Sequence, residues 1–453
     1  KMKISFENPD KVNGLLTLTV ETADFQDRVE KTLKDLRKKA QLPGFRPGQV
    51  PMGMIKRQYG EGVKAEEINK IIGEELYKYV NENKIKMLGE PMANEGLEPV
   101  DLEKDAPYVF KFDIAVAPEF KVELTDKDTL DYYTIKVDDD LVNRQIDTFA
   151  SRAGHYDKAE EYQANDMLKG DIRELDENGN TKEGGITVEG AVLMPDYIKV
   201  EDQKKLFEGC KLGDIITFNP KKAYPESDVE VSSLLKMKKE EVADLTSDFS
   251  FQVTEISRFV KAEVNQELFD TVYGKDEVKD EKAFREKIAE GLKEQLANDG
   301  DFKFLVDLRK YLEEKVGKLE YPDALLKRFM LAQNKDKGEK FVEDNYEQSI
   351  KELTWHLVRE QLVEANGIKI DDADLKETAK EAARAQFAQY GMTNVPEEYL
   401  ENYANDMLKK KEFVDSLVDR SIDRKLVATL KNVVKLTPKE ATLDEFNEMM
   451  KGE

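Results

Sequence analysis

The strongest constraint in this sequence is a ten-residue stretch, Leu42-Pro43-Gly44-Phe45-Arg46-Pro47-Gly48-Gln49-Val50-Pro51, which holds three prolines and two glycines. Proline removes a backbone donor and fixes φ, and glycine loses the most freedom in a regular element, so no helix or strand runs through it. The flanks are helical in pattern. Before the stretch, Phe25, Val29, Leu33, Leu36 and Ala40 recur at spacings of four, four, three and four, which makes one apolar helix face over 24–40. After it, Pro51 suits the start of a short helix. A further helix over 63–83 would carry Ile68, Ile72, Leu76 and Tyr79 on one face. The stretch then reads as a compact tip between helices. Phe45 and Arg46 are its two side chains with binding chemistry: a guanidinium forks onto phosphate or carboxylate, and a phenyl ring fills an apolar pocket. The alternative is an ordinary turn whose Phe45 folds back into the core.

Charge singles out the same region. The chain of 453 residues has a net charge of −24, yet residues 1–118 hold 19 Lys/Arg against 20 Asp/Glu. Nearly all the excess negative charge therefore lies beyond residue 118. Residues 28–57 carry nine basic side chains, among them Arg37, Lys38, Lys39, Lys56 and Arg57, and only two acids, Glu30 and Asp35. An acidic body with one basic patch suits a protein that meets RNA at a single point. A solvated helix face is the plainer reading of the patch taken alone.

Elsewhere the texture changes by region, and the length predicts about three domains. Leu16, Leu18 and Val20 alternate as in a half-buried strand, and so do Phe110, Phe112, Ile114 and Val116. Residues 1–118 therefore read as an α+β domain. Residues 119–165 are acidic, with Asp138-Asp139-Asp140 placed to cap a helix through about residue 152. Residues 166–258 are rich in turns, with short strands at 214–218 and 249–254 and a helix within 228–243. Beyond Val260 the pattern is helical, with expected helices over 265–273, 281–316, 323–345, 347–366, 371–390 and 396–434. No apolar run of about 18 residues is present, so no membrane contact is expected. The opening residues 1–7 lack the apolar centre of a secretory signal. A single cysteine, Cys210, excludes a disulfide framework, reads as a small core residue and fits a reducing cytoplasm.

The inventory for catalysis is thin. The two histidines are His155 and His356, and no His-Glu-x-x-His, Cys-x-x-Cys or nucleophile-elbow pattern occurs. There is no Gly-x-x-x-x-Gly-Lys-Ser/Thr loop to cradle a nucleotide. No metal, cofactor or nucleotide is expected, and no catalytic residue is assigned.

The string Gly44-Phe45-Arg46-x-Gly48-x-x-Pro51 resembles the signature Gly-Phe-Arg-x-Gly-x-x-Pro of the bacterial trigger factor family. The family often has lysines where this chain has Pro47 and Gln49. Parts of the middle segment are similar to that family's FKBP-type prolyl isomerase domain: Gly170-Asp171, Leu206 to Asp214, Ala223-Tyr224-Pro225 and Phe249 to Phe259. Where the pocket-lining element belongs, the sequence reads Met194-Pro195-Asp196-Tyr197, so isomerase activity is left open. Val264 to Phe269, Asp280 to Ile288 and Tyr321 to Leu326 resemble the family's helical chaperone body.

The resemblance implies a multidomain α+β protein. Its parts are an N-terminal α+β ribosome-binding domain (1–118), a linker and first part of the chaperone domain (119–165), a small FKBP-like β-rich domain (166–258) and a large all-α chaperone domain with helical arms (259–453). It implies ribosome binding through Gly44, Phe45, Arg46, Pro47 and Gly48, at an exit-tunnel ribosomal protein and adjacent rRNA, with Arg37, Lys38, Lys39, Lys56 and Arg57 in support. It implies client binding of nascent and unfolded polypeptides, for which Met330, Phe387, Tyr390, Met392 and Met407 are candidates, and it leaves a homodimer open. The expected function is that of an ATP-independent, ribosome-associated chaperone. The alternatives are a prolyl isomerase as the main activity, or a holdase that works free of ribosomes.

Overall fold

A computed structural model of the protein describes residues 2–392 and 395–453. Two antiparallel strands, β1 (Lys3–Glu7) and β2 (Asn13–Val20), open the chain. Leu16, Leu18 and Val20 of β2 are fully buried, as the alternation predicts. Helix α1 (Thr22–Lys39) starts where the Asp24 carboxylate accepts the Glu21 amide at 2.7 Å. Helix α2 (Met52–Glu82) is followed by β3 (Met87–Ala93) and β4 (Tyr108–Val116), and the sheet order is β1-β2-β4-β3. The sequence pattern split α2 in two, but it runs unbroken through Gly53, Gly60 and Gly62. The reason is packing at both ends. Ile55 and Val63 join Leu33 and Val50 in a cluster beneath the Pro/Gly stretch, while Ile68, Ile72 and Leu76 cover the sheet. Such burial outweighs a cost of about 1 kcal/mol per helical glycine.

Strand β5 (Thr129–Ile135) precedes α3 (Asp139–Arg152), whose N-terminus is capped by the Asp138 side chain accepting the Leu141 amide. Next come β6 (His155–Ala159), β7 (Met167–Glu174), β8 (Thr187–Leu193), the one-turn helices α4 (Glu201–Lys204) and α5 (Pro220–Ala223) with β9 (Ile215–Phe218) between them, α6 (Asp228–Leu235), α7 (Lys239–Val242) and β10 (Phe249–Val260). β10 organises this five-stranded antiparallel sheet. It pairs with β7 along one side and with β9 and β6 along successive halves of the other, and β8 extends β7.

The remainder is helical: α8 (Gln266–Tyr273), α9 (Glu281–Val316), α10 (Asp323–Gln333), α11 (Gly338–Ala365), α12 (Asp372–Gln389), α13 (Glu397–Leu408) and α14 (Lys411–Leu430). A strand, β11 (Lys435–Ala441), and helix α15 (Leu443–Met450) end the chain. Two helix breaks differ from the sequence reading. The chain turns at 334–337 rather than near 346, because Tyr346 is buried inside α11 against Leu325 and Leu326. The segment expected as one helix over 396–434 breaks at 409–410, within a run of lysines, and Leu417 of α14 packs on Ala404 of α13.

Contacts divide the chain into two compact units. The first comprises residues through Tyr132, Phe302–Glu381 and Tyr403–Thr437. Within it the β3–β4 end of the sheet packs on α10 and α11 through Leu88, Ala115, Leu325 and Leu357, and Arg328 pairs with Asp113 at 2.9 Å. Phe304 and Leu308 of α9, Trp355 and Leu362 of α11, and Leu426 and Leu430 of α14 form the helical core. Buried Arg359 donates to Asp419 at 2.8 Å and to Asp423 at 3.1 Å, and burial pushes the Asp423 carboxyl up despite that partner. The second unit comprises Tyr133–Asp301, Ala382–Asn402 and Pro438–Glu453. It holds the five-stranded sheet and a cluster of Phe149, Phe269 and Phe284, whose last two rings lie 4.6 Å apart.

Candidate functional site

The stretch 42–51 is held from below and open above. Leu42 and Val50 anchor it to the cluster of Leu33, Ile55 and Val63. Between these anchors the chain makes two tight turns, with the Phe45 amide donating to the Leu42 carbonyl at 3.1 Å and the Gln49 amide donating to the Arg46 carbonyl at 3.0 Å. Phe45 is 39% exposed, and Arg46 and Pro47 are exposed beside it. The reading in which Phe45 folds back into the core is therefore excluded. Met54, in the first turn of α2, is also exposed, an apolar residue beside the tip that the sequence reading did not single out.

The basic side chains do not all play one part. Lys38 pairs weakly with Asp35 at 3.4 Å, and Arg37 turns inward, donating from Nε to the Val50 carbonyl at 2.8 Å. Among the described residues, Lys39, Arg46, Lys56 and Arg57 have no ion-pair partner. Arg37, Lys38 and Lys39 fill the last turn of α1, where cations also answer the helix dipole. The result is an apolar-tipped, cationic knob suited to phosphate and a small apolar pocket.

The five-stranded sheet carries the FKBP-like elements, but the rings of Phe207, Phe218 and Phe251 point inward, while Tyr156 and Phe259 stand exposed. Phe207, Phe218 and Phe251 meet edge to face at 5.4, 6.0 and 6.4 Å, and each is at most 2% exposed. Tyr224 is buried too, which pushes its hydroxyl up to about 12. Burial likewise pushes the Cys210 thiol up to about 11, as expected of an unreactive core residue. At Met194–Tyr197 the chain makes a short 3-10 turn with Pro195 buried and Tyr197 standing 69% exposed. These rings form a packed core rather than the walls of an open cleft. His155 lies 3.0 Å from Asp157 on an exposed strand, and His356 Nδ1 lies 3.3 Å from the Arg359 guanidinium. Among the described residues, no group of three or more His, Cys, Asp or Glu could hold a metal ion. None of the described helices is long and apolar enough to cross a membrane.

The five client-binding candidates separate. Phe387 and Met392 line one open apolar groove of about 550 Å³, together with Phe149, Val272, Pro396 and Tyr399. Tyr390, 75% exposed, neighbours them along the chain. Arg152 edges this groove and donates to the Gly391 carbonyl. Met330 instead packs half-buried beside Tyr346 and Leu353, and Met407 beside Ala404 and Leu417. Phe149, Arg152 and Val272 were not legible as groove residues, because their partners lie more than a hundred positions away in sequence.

An α+β domain with an exposed cationic tip, an FKBP-like sheet and a long helical remainder define the class of multidomain folding factors. Comparison with known proteins agrees along the chain. The model described as bacterial trigger factor protein matches residues 2–149, that of the probable trigger factor FKBP-like domain 156–261, and that of the probable trigger factor C-terminal domain 300–450. The trigger factor of Chlorobaculum tepidum is 23% identical over 97% of this chain and 99% of its own. That of Pelagibacter ubique is 21% identical over 99% and 89%, and one from Clostridium botulinum 24% identical over 87% and 92%. A solved structure described under promiscuous substrate recognition by the trigger factor chaperone shares the fold, with a TM-score of 0.51 and 18% identity over 95% of this chain and 99% of that one. The chain belongs to the trigger factor family of folding chaperones.

Proposed function

We propose that this protein is an ATP-independent chaperone that docks on the ribosome through Gly44–Gly48 and holds nascent and unfolded polypeptides as they emerge. The observation that carries the reading is the exposed Phe45–Arg46 tip, surrounded by unpaired cations on a chain of net charge −24. Lys39, Arg46, Lys56 and Arg57 would meet rRNA phosphates, and Phe45 would enter a pocket on a ribosomal protein at the exit. Residues 1–118 dock, residues 119–165 and 259–453 hold clients, and the FKBP-like segment 166–258 serves as a non-catalytic part. Clients bind by reversible burial of apolar segments, for which the groove of Phe149, Phe387, Met392 and Tyr399 is suited. The surrounding charge keeps such surfaces soluble, and modest affinity lets clients leave. The setting is the cytoplasm, where ribosomes work. The homodimer left open by the sequence is not required, since one chain supplies the whole tip. Isomerase as the main activity is not favoured, given the burial of Phe207, Phe218 and Phe251.

Co-sedimentation with bacterial ribosomes tests the reading. The intact protein is expected to bind with strong salt dependence, and the combined change Gly44→Ala, Phe45→Ala, Arg46→Ala to abolish binding. An intact protein that protects clients but stays in the supernatant would instead be a ribosome-free holdase.

A further inference from the structure

We infer that two consecutive Pro-Gly turns and one inward guanidinium hold the docking tip ready, so that Pro47 contributes rigidity where a lysine would contribute charge. The inference rests on the docking reading above. Leu42-Pro43-Gly44-Phe45 and Arg46-Pro47-Gly48-Gln49 share one pattern, with proline second and glycine third, and each closes with an amide-to-carbonyl bond from its fourth residue to its first. Gly44 has φ +89° and Gly48 φ +81°, the left-handed values that the third position of a type II turn requires. Phe45 ends the first turn and Arg46 begins the second. The backbone of both binding residues is thus set from either side while their side chains stay in solvent.

The far end of the stretch is fixed as well. Val50 is fully buried, and its carbonyl accepts the Arg37 guanidinium at 2.8 Å. Arg37 is therefore a positioning residue rather than a free phosphate contact. A preset tip loses little conformational freedom on docking, and that saving adds to affinity without adding any counterion release. A lysine at position 47 would do the reverse.

The test measures ribosome affinity of the full chain at several salt concentrations for four single changes. Pro47→Ala is expected to weaken binding about two- to five-fold at every salt concentration. Its slope of log affinity against log salt stays at the wild-type value. Pro47→Lys is expected to steepen that slope by about 0.7 to 0.9, exceeding Pro47→Ala at low salt and falling below the wild type at high salt. A side chain at Gly44 would meet no atom within 4 Å, so Gly44→Ala reports backbone conformation alone, with an expected loss of about five-fold or more. Arg37→Gln is expected to lower affinity with the slope unchanged. Equal unfolding midpoints for the loop variants exclude loss of fold as the cause. Wild-type affinity for Pro47→Ala across the salt series, or a shallower slope for Arg37→Gln, overturns the inference while leaving docking in place. Absence of binding by the intact chain removes the docking reading itself.

Discussion

The tip at 42–51 and the FKBP-like sheet treat aromatic residues in opposite ways. Both set phenylalanine beside glycine-bearing loops: Phe45 between Gly44 and Gly48, and Phe207 two residues before Gly209. Phe45 is left exposed because paired Pro-Gly turns hold the backbone away from the cluster of Leu33 and Ile55, and Leu42 and Val50 fill that cluster instead. Phe207 is fully buried because the sheet offers Phe218 and Phe251 as edge-to-face partners. Phe45 stays in solvent because the cluster beneath it is already filled by other side chains.

The largest effect is expected from breaking the buried side of this contrast. Phe251→Ala removes one ring from three that pack together, at a cost of about 3–5 kcal/mol in denaturant unfolding. A loss below about 1 kcal/mol would mean that the rings are loosely held, and would reopen the case for a cleft. On the exposed side, Phe45→Ala should leave stability within about 0.5 kcal/mol. It should lower ribosome affinity about ten-fold or more, the counterpart of about 1.5–3 kcal/mol for burying a phenyl ring on the partner. Lost stability without lost binding would reverse the assignment.

A buried charge sharpens the comparison further. Burial raises the Asp128 carboxyl, but Lys315 at 2.7 Å, the Tyr311 hydroxyl and the Thr125 amide outweigh it, and its pKa lies below the ordinary value. A depressed carboxyl contributes stability above its unfolded pKa of about 3.9 and loses it as pH falls through the folded value. Asp128→Asn should cost about 1.5–3 kcal/mol at neutral pH, with the difference from wild type shrinking below about pH 4. A difference constant down to pH 2 would assign the effect to shape rather than charge. The smallest expected effect is none at all. The intact protein should leave X-Pro isomerisation in a short peptide at its uncatalysed time of roughly tens of seconds or longer. Acceleration that survives Phe45→Ala would show that the sheet opens a cleft.

Much of this is legible in the sequence alone. The α1 face, the alternation in β2 and β4, the Asp138 cap and the β-rich middle all rest on local spacing, which the backbone repeats impose directly. Other features were not. The apolar spacing gave a short helix after Pro51 and a second over 63–83, but packing at both ends makes α2 one helix. Strand β1 is short and only half-buried, so its alternation is weak. Strand β11 contains Pro438 and has little apolar pattern, and its Lys435 amide instead finds the Asp128 carbonyl, some three hundred residues away. Arg37 looked like any other member of the basic patch until Val50 was placed against it.

By itself the sequence determined where the chain must bend near residue 45, which charges surround that bend, and that no metal or nucleotide motif accompanies it, because these depend on residue types at fixed spacing. Only the tertiary structure decided that Phe45 faces water while Phe207 does not, that Arg37 braces the loop, and that Phe149 shares a groove with Phe387. Exposure and pairing are set by which distant surfaces compete to cover a side chain, and that competition is resolved only when the whole core is packed.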